Sequence, residues 1–343
     1  MSAFSVRPFE PGDEEGILAV FNRVFAEGNP AFVPRTPALW RHVFADNPAG
    51  IQGFVGLDAD RRIVANYASI PAAAVVRGRR RLCTQAVDSC VDRAWRGSLR
   101  KQSLFVTIAT EFIRHYGTPG REPCDDFMYG LPNEQAFPVG TRVIGYQPVH
   151  VPLPQLVREA EPAWIDALAR EAAADGALAV EEIDAAGDPR TAALFARELA
   201  GWPLGIWRDA AWLRWRWRPR PDGVSYGALL ARRGATPAAV LVYRLGWMGQ
   251  AIVPLVDWVG GGNDRAALAA LLAEIARRTL AAGGTRLVTW ATPAMPHAAT
   301  LAALGLRSEP SPFNLCIMTF APEVGLEWAR ANWCLTMGDS DIY

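Results

Sequence analysis

The chain has 343 residues, with 35 basic and 35 acidic side chains and no formal net charge; that length predicts two domains, and the charge balance excludes a strong electrostatic pull toward nucleic acid. Half of the residues are apolar, enough to bury two cores. Cys83, Cys90, Cys124, Cys316 and Cys334 are odd in number and form no CxxC pair, which argues against a disulfide framework or a zinc site.

In chain order, the N-terminus turns acidic where a signal peptide would be apolar, and no run reaches the roughly 18 apolar residues of a membrane span. A cytoplasmic protein that does not enter a membrane is expected. The stretch FEPGDEEGILAVFNRVFAEG starts a helix near Gly12-Asp13, with Ile17, Leu18, Val20, Phe21 and Val24 on its buried side. WRHVFADNPAG follows, then a hairpin in FVGLDADRRIVANYASI and a strand TQAVDSCV that carries Asp88. Beyond an Arg-Gly turn at Arg96-Gly97, SLFVTIATEFIRHYG has the apolar spacing of an amphipathic helix and stops at glycine. A strand and proline, DFMYGLPN, and a segment ending in Gly145-Tyr146 complete the first half.

The second half repeats this order. LRWRWRPRPDG matches WRHVFADNPAG, pairing Arg41 with Arg214, Phe44 with Trp217, Pro48 with Pro221 and Gly50 with Gly223. A second hairpin, YGALLARRGATPAAVLVYRL, leads to VPLVDWVG, where Asp257 stands opposite Asp88. A helix, DRAALAALLAEIARRTLAAGG, then TRLVTWATP and a closing Gly305-Leu306 follow. Matched elements in one order make a duplication. Each unit is expected to run β, α, β, β, β, α, β, α, β, with residues 151–190 combining a linker and the opening helix of the second copy.

That order, with a V-x-x-x-x-R-G turn leading into the central helix, resembles the GNAT acyltransferase superfamily. VRPFEPGDEEGILAVFNRVF, the NPxG motif and YGLPNEQAFPVGTRVIGY are similar to stretches of its tandem members of the enhanced-intracellular-survival type. The resemblance implies an α/β (α+β) fold of two tandem units, each a mixed, mostly antiparallel sheet flanked by helices. It divides the chain into an acyl-CoA-binding domain (1–150), a degenerate second domain (151–330) and a tail (331–343) packing near the site.

It also implies transfer of an acetyl or other acyl group from acetyl-CoA (acyl-CoA) to a small-molecule amine. The cofactor is expected at Val91, Arg96, Gly97, Ser98, Leu99, Arg100, Lys101 and Asn133. Leu99 and Lys101 occupy the places of two family glycines, and the cations Arg96, Arg100 and Lys101 offset that loss. Asp88 is the expected base or amine-orienting group, and an ion pair with an arginine is its competing role. Tyr129 stands near, though not at, the family's thiolate-acid position, and the terminal carboxylate of Tyr343 is the third candidate.

The tryptophans from Trp202 to Trp217 are expected to pack rather than bind, and His42 has no partner at useful spacing. The glycines Gly260, Gly261 and Gly262 leave a lesser phosphate site in the second unit. Removing Asp341, Ile342 and Tyr343 should abolish activity and leave the melting temperature nearly unchanged. Two other readings compete: a catalytically silent GNAT-like binding protein, and a Fem-type transferase using aminoacyl-tRNA, which the balanced charge disfavours.

Overall fold

The computed structural model describes residues 4–96, 103–247, 251–262 and 264–343. In the first half, β1 (Ser5–Pro8) leads through α1 (Glu14–Ala26) and α2 (Pro37–Trp40), prolonged by a π turn at Arg41–Ala45. Three long strands follow, β2 (Gln52–Leu57), β3 (Ile63–Val76) and β4 (Arg79–Val91), then α3 (Leu104–Tyr116), β5 (Phe127–Gly130), α4 (Ala136–Val139) and β6 (Gln147–His150). The second half opens with β7 (Pro154–Glu159) and α5 (Pro162–Ala173), then β8 (Leu178–Ile183), α6 (Pro189–Leu199), β9 (Leu204–Ile206) and α7 (Ala210–Trp217). It continues through β10 (Gly227–Arg233), β11 (Thr236–Tyr243), β12 (Ile252–Gly260), α8 (Arg265–Ala281), β13 (Arg286–Trp290), α9 (Ala298–Ala303), β14 (Arg307–Pro310), β15 (Leu315–Thr319) and α10 (Leu326–Asn332).

Both hairpins and both central helices lie where the periodicity puts them. Ile17, Leu18, Val20 and Phe21 form the buried side of α1. Asp13 does not cap that helix with its side chain; it receives two hydrogen bonds from Arg7, at 2.7 and 2.8 Å. Ser103 caps α3 through Val106 N–H, and Asp264 caps α8 through Ala267 N–H at 3.0 Å. Gly50 and Gly223, matched in the repeat, both have positive φ, +91° and +82°, a conformation that glycine adopts without steric cost.

The second half of the chain contributes strands to the first sheet, while every strand of the second sheet comes from the second half. The first has the order β1-β2-β3-β4-β5-β15-β6, with β9 added to the side of β3. The second has the order β14-β7-β13-β12-β11-β10-β8. Thus β15, from near the C-terminus, fills the place between β5 and β6, while β7 lies between β13 and β14. A cut at residue 150 would take the interior strand β15 and the side strand β9 from the first sheet and leave every strand of the second sheet with its own half. The stretch 151–190 holds the strand β7, the additional helix α5 and β8, and the counterpart of α1 is α6, which starts at Pro189.

The matched segments of the duplication meet. Trp215 of α7 donates its indole N–H to the carbonyl of His42 at 2.7 Å, and Arg218 reaches Nδ1 of His42 at 3.1 Å. Trp202, Trp212, Trp215 and Trp217 are all buried, in one cluster with β3, β5 and the C-terminal tail. Trp202 and Trp217 take the packing role expected of them, while Trp212 and Trp215 also face a cavity.

Candidate functional site

A fork in the first sheet organises the site. β4 and β5 are parallel partners over only three residue pairs, Cys83 with Phe127 through Gln85 with Tyr129. Beyond Gln85 the edge of β4 facing β5 has no strand partner among the described residues, while its opposite edge stays paired with β3 as far as Val91. Unpaired main-chain groups on such an edge can receive an extended, amide-bearing ligand.

A β-bulge distorts β4 just past the fork. The register slips between the pairs Asn66–Cys90 and Ala68–Val87, so that Tyr67 faces two residues, Asp88 and Ser89. Asp88 takes φ +54°, and its carbonyl accepts from Asn66 Nδ2 at 3.1 Å. In a regular strand Asp88 would face away from Gln85 and Val87; here all three line one cavity, while Ser89, Cys90 and Val91 line a cleft.

The cleft has a volume of about 520 Å³. Val91 and Arg96 form one side and Asn133 the other, with Phe25, Phe105 and Val139 giving it an apolar lining. Asn133 caps α4, its side-chain oxygen accepting from Gln135 N–H and Ala136 N–H at 3.1 and 2.8 Å. Arg96 is not idle: it donates to the Val91 carbonyl at 2.8 Å and to Glu27 at 2.7 Å. The structure thus brings Val91, Arg96 and Asn133 together, whereas Gly97, Ser98, Leu99, Arg100 and Lys101 lie outside the described residues.

The cavity is smaller, about 90 Å³, and is built by both halves of the chain together with the tail. β3 and β4 supply its floor, α2 and the following turn supply Leu39, His42 and Phe44, and α7 supplies Trp212 and Trp215. Gly338, Asp339, Ser340 and Asp341 close it. Burial together with the charges of Arg218 and Arg220 pushes the His42 imidazole down to about 4, so it is neutral at physiological pH.

Asp88 is paired with Arg35, whose second nitrogen lies 3.2 Å from Oδ1. The arginine is fixed in turn: its N–H donates to Asn22 at 2.8 Å and its guanidinium stacks 4.0 Å over Phe21. Tyr129 lines the cavity, but its hydroxyl donates to the Asp339 carbonyl at 2.6 Å, and burial raises its pKa well above the usual phenol value. Tyr343 stands behind the wall. Its main-chain oxygen accepts from Arg216 at 2.7 Å and from Tyr226 at 2.8 Å, and its ring stacks on Trp247.

The tail is held by a charge network. Arg208, wholly buried, donates to Asp257 at 2.7 Å, to Asp339 at 2.6 Å and to the Thr336 hydroxyl at 2.8 Å. Asp257, the repeat counterpart of Asp88, therefore serves as an anchor in the second unit. Burial raises the Asp339 carboxyl to about 6.

The glycines before α8 have a packing explanation. Gly260 and Gly261 have φ of +75° and +71°, and a Cβ on Gly260 would come within 2.3 Å of the Ala238 carbonyl. The carboxylate of Asp264 at this helix start opposes an anion.

Neither a family model nor a curated protein sequence matches the chain. Solved structures do. A probable N-acyltransferase of Enterococcus faecalis V583 superposes with a TM-score of 0.64 at 12% identity, covering 93% of this chain and 73% of that one. A GCN5-related N-acetyltransferase of Anabaena variabilis gives 0.64 at 13% identity with the same coverages. The chain shares its fold with these two proteins. The N-myristoyltransferase of Saccharomyces cerevisiae, solved with bound myristoyl-CoA, shares it too, with a TM-score of 0.59 at 12% identity over 94% of this chain and 83% of that one.

Within this fold, several lining residues went unremarked in the sequence. Arg35 and Gln85 carry no motif. His42 lacked a sequence neighbour because its partners, Trp215 and Arg218, come from the other copy. The matched WRHVFADNPAG and LRWRWRPRPDG segments were the available signal, since like parts of a duplicated fold often face each other across a pseudo-symmetric interface.

Proposed function

We propose that this protein is an N-acyltransferase that moves an acetyl or longer acyl group from acyl-CoA to the amine of a small molecule. The observation that carries the reading is the fork of β4 and β5, with an apolar cleft along the free edge of β4 and a cavity of mixed polarity on the other side of its bulge. A pantetheine chain has amides that suit such an edge, and the cleft is long and apolar enough to take it. Its thioester would then reach β4 near the bulge, where the cavity presents an acceptor.

Val91 and Asn133 would border the cofactor and Arg96 would meet its diphosphate, with residues 97–101 completing the contact at the start of the central helix. A diphosphate competes with Glu27 for Arg96. When bound, the cofactor supplies the activated acyl group. Asp88, both of whose oxygens accept from Arg35, orients the wall of the acceptor site, and Tyr129 is the phenol closest to the fork that could pass a proton toward the departing thiolate, once released from Asp339. The other two readings, a silent binding protein and a Fem-type transferase, have no separate observation in their favour.

Calorimetric titration of the full chain with acetyl-CoA and with a long-chain acyl-CoA tests the reading. Micromolar to millimolar binding of at least one donor, weakened by Arg96→Ala, is expected. No heat from either donor would overturn it.

A further inference from the structure

The cavity contains six charged side chains, and all but one of them are matched. Arg35 pairs with Asp88, Asp339 with Arg208, and Arg220 with Asp222 at 2.7 Å. Arg216 spends its donors on the carbonyls of Gly338, Ser340 and Tyr343 and on the Tyr226 hydroxyl. Asp341 remains. Among the described residues no cation stands within 4 Å of it; its Oδ1 accepts from Gln85 Nε2 at 2.6 Å, and its N–H donates to Gln85 Oε1 at 3.2 Å.

This double contact fixes Asp341 at a telling place. Gln85 is buried and is the last residue of β4 paired with β5, so the carboxylate is held at the fork itself. The side chain is solvent-accessible from the cavity. Surrounding protein and the nearby charge of Asp88 nonetheless push its pKa up, against the pull of Gln85 and Arg35. The other groups around it do not compete for the role of base: Asp88 is ion-paired, Asp339 is sealed against Arg208, the Tyr129 proton is donated to a carbonyl, and His42 is neutral from about pH 5 upward.

Resting on the acyl-transfer reading, we infer that Asp341 is a catalytic residue that binds the ammonium of the acceptor and takes its proton, and that the acceptor is a slender primary amine with an apolar body and no carboxylate. The apolar part is met by Phe44, Ile70, Val87, Ile206, Trp212 and Trp215, in a space too small for a bulky polycation. A carboxylate on the acceptor would find every lining arginine already engaged. In the reaction, R–NH3⁺ gives one proton to Asp341, which later returns it to solvent. The neutral amine forms the C–N bond at the thioester carbon, the C–S bond breaks, and the second nitrogen proton ends on the sulfur.

The full chain is titrated calorimetrically with 2-phenylethylamine and with phenylalanine, without donor, for the parent, Asp341→Asn and Asp341→Glu. Asparagine keeps an acceptor for Gln85, so the tail stays in place. The parent should bind the amine and not the amino acid, and Asp341→Asn should weaken that binding roughly tenfold or more, as expected for loss of a charge-assisted contact. With acetyl-CoA present, Asp341→Asn should lose about 100-fold in kcat/KM for the amine, leave the KM for acetyl-CoA unchanged, and lose the acidic limb of the pH profile; glutamate should restore part of the rate. The inference is overturned if the parent binds neither compound, if phenylalanine binds as well as the amine, or if Asp341→Asn keeps the parent's affinity and pH profile. Heat from the amine with none from acetyl-CoA would refute acyl transfer and support the cation site alone.

Discussion

Replacing Tyr343 by alanine tests how the tail is held, and the structure sets the size of the effect. The ring is 1% exposed. It lies stacked at 4.9 Å on Trp247 and meets Trp290 and Phe313 edge-on at 5.4 and 6.1 Å. Truncating a large buried aromatic to alanine costs about 3–5 kcal/mol, and three aromatic contacts put Tyr343 in the upper part of that range. The main-chain oxygen that Arg216 and Tyr226 hold is still present in the substituted protein, so the experiment isolates the ring. In thermal or urea unfolding followed by tryptophan fluorescence, the melting temperature should fall by roughly 5–10 °C. Deleting Asp341, Ile342 and Tyr343 together should cost at least as much, because it also strips Arg216 of a carbonyl partner. This reverses the expectation that the tail can be cut without loss of stability: an apolar end sealed between two tryptophans is part of the core. A Tyr343→Ala protein that melts within about 1 °C of the parent would refute the reasoning.

Other outcomes follow from buried charge. Asp125 is 1% exposed, has one unpartnered oxygen, and is raised from 3.8 to about 7 by burial. The folded state therefore holds this proton more tightly than the unfolded state, so its contribution is full below pH 4 and is lost as pH rises through 7. Denaturant titrations should show stability falling by up to about 4 kcal/mol across that window, and Asp125→Asn should flatten the dependence. Arg208→Met leaves Asp257 and Asp339 buried without their cation and should cost about 3–5 kcal/mol, measured by urea unfolding. Glu27→Gln releases Arg96 from its partner and should tighten acetyl-CoA binding several-fold in calorimetry, with a steeper loss as salt is added.

Much of the architecture could be read from the sequence because its signals are local. Asx caps, turn glycines and apolar periods mark the hairpins and the helices α3 and α8, and the matched glycines Gly50 and Gly223 do adopt the same left-handed backbone. The insertion of β15 into the first sheet could not be read that way. A short apolar strand such as LCIMT has the same pattern whichever sheet it joins, and its choice between β5 and β13 rests on long-range fit. The site divides along the same line. Val91, Arg96 and Asn133 follow from the order of elements, whereas the part of Asp88 depends on a bulge and on Arg35, which lies 53 residues away in sequence. Asp341 stood out only as a residue of the C-terminal tail, and its partner Gln85 lies 256 residues away.

The placement of β15 in the first sheet has a consequence for biosynthesis. While a ribosome is still making the second half, the emerging first half has β5 and β6 with nothing between them, since the filling segment at 315–319 is among the last thirty residues translated. The growing chain must carry this open seam until β15 emerges. A gene split after codon 150 would yield a first fragment whose sheet lacks β15 and can close its seam only by meeting the second fragment, which carries that strand together with every strand of its own sheet.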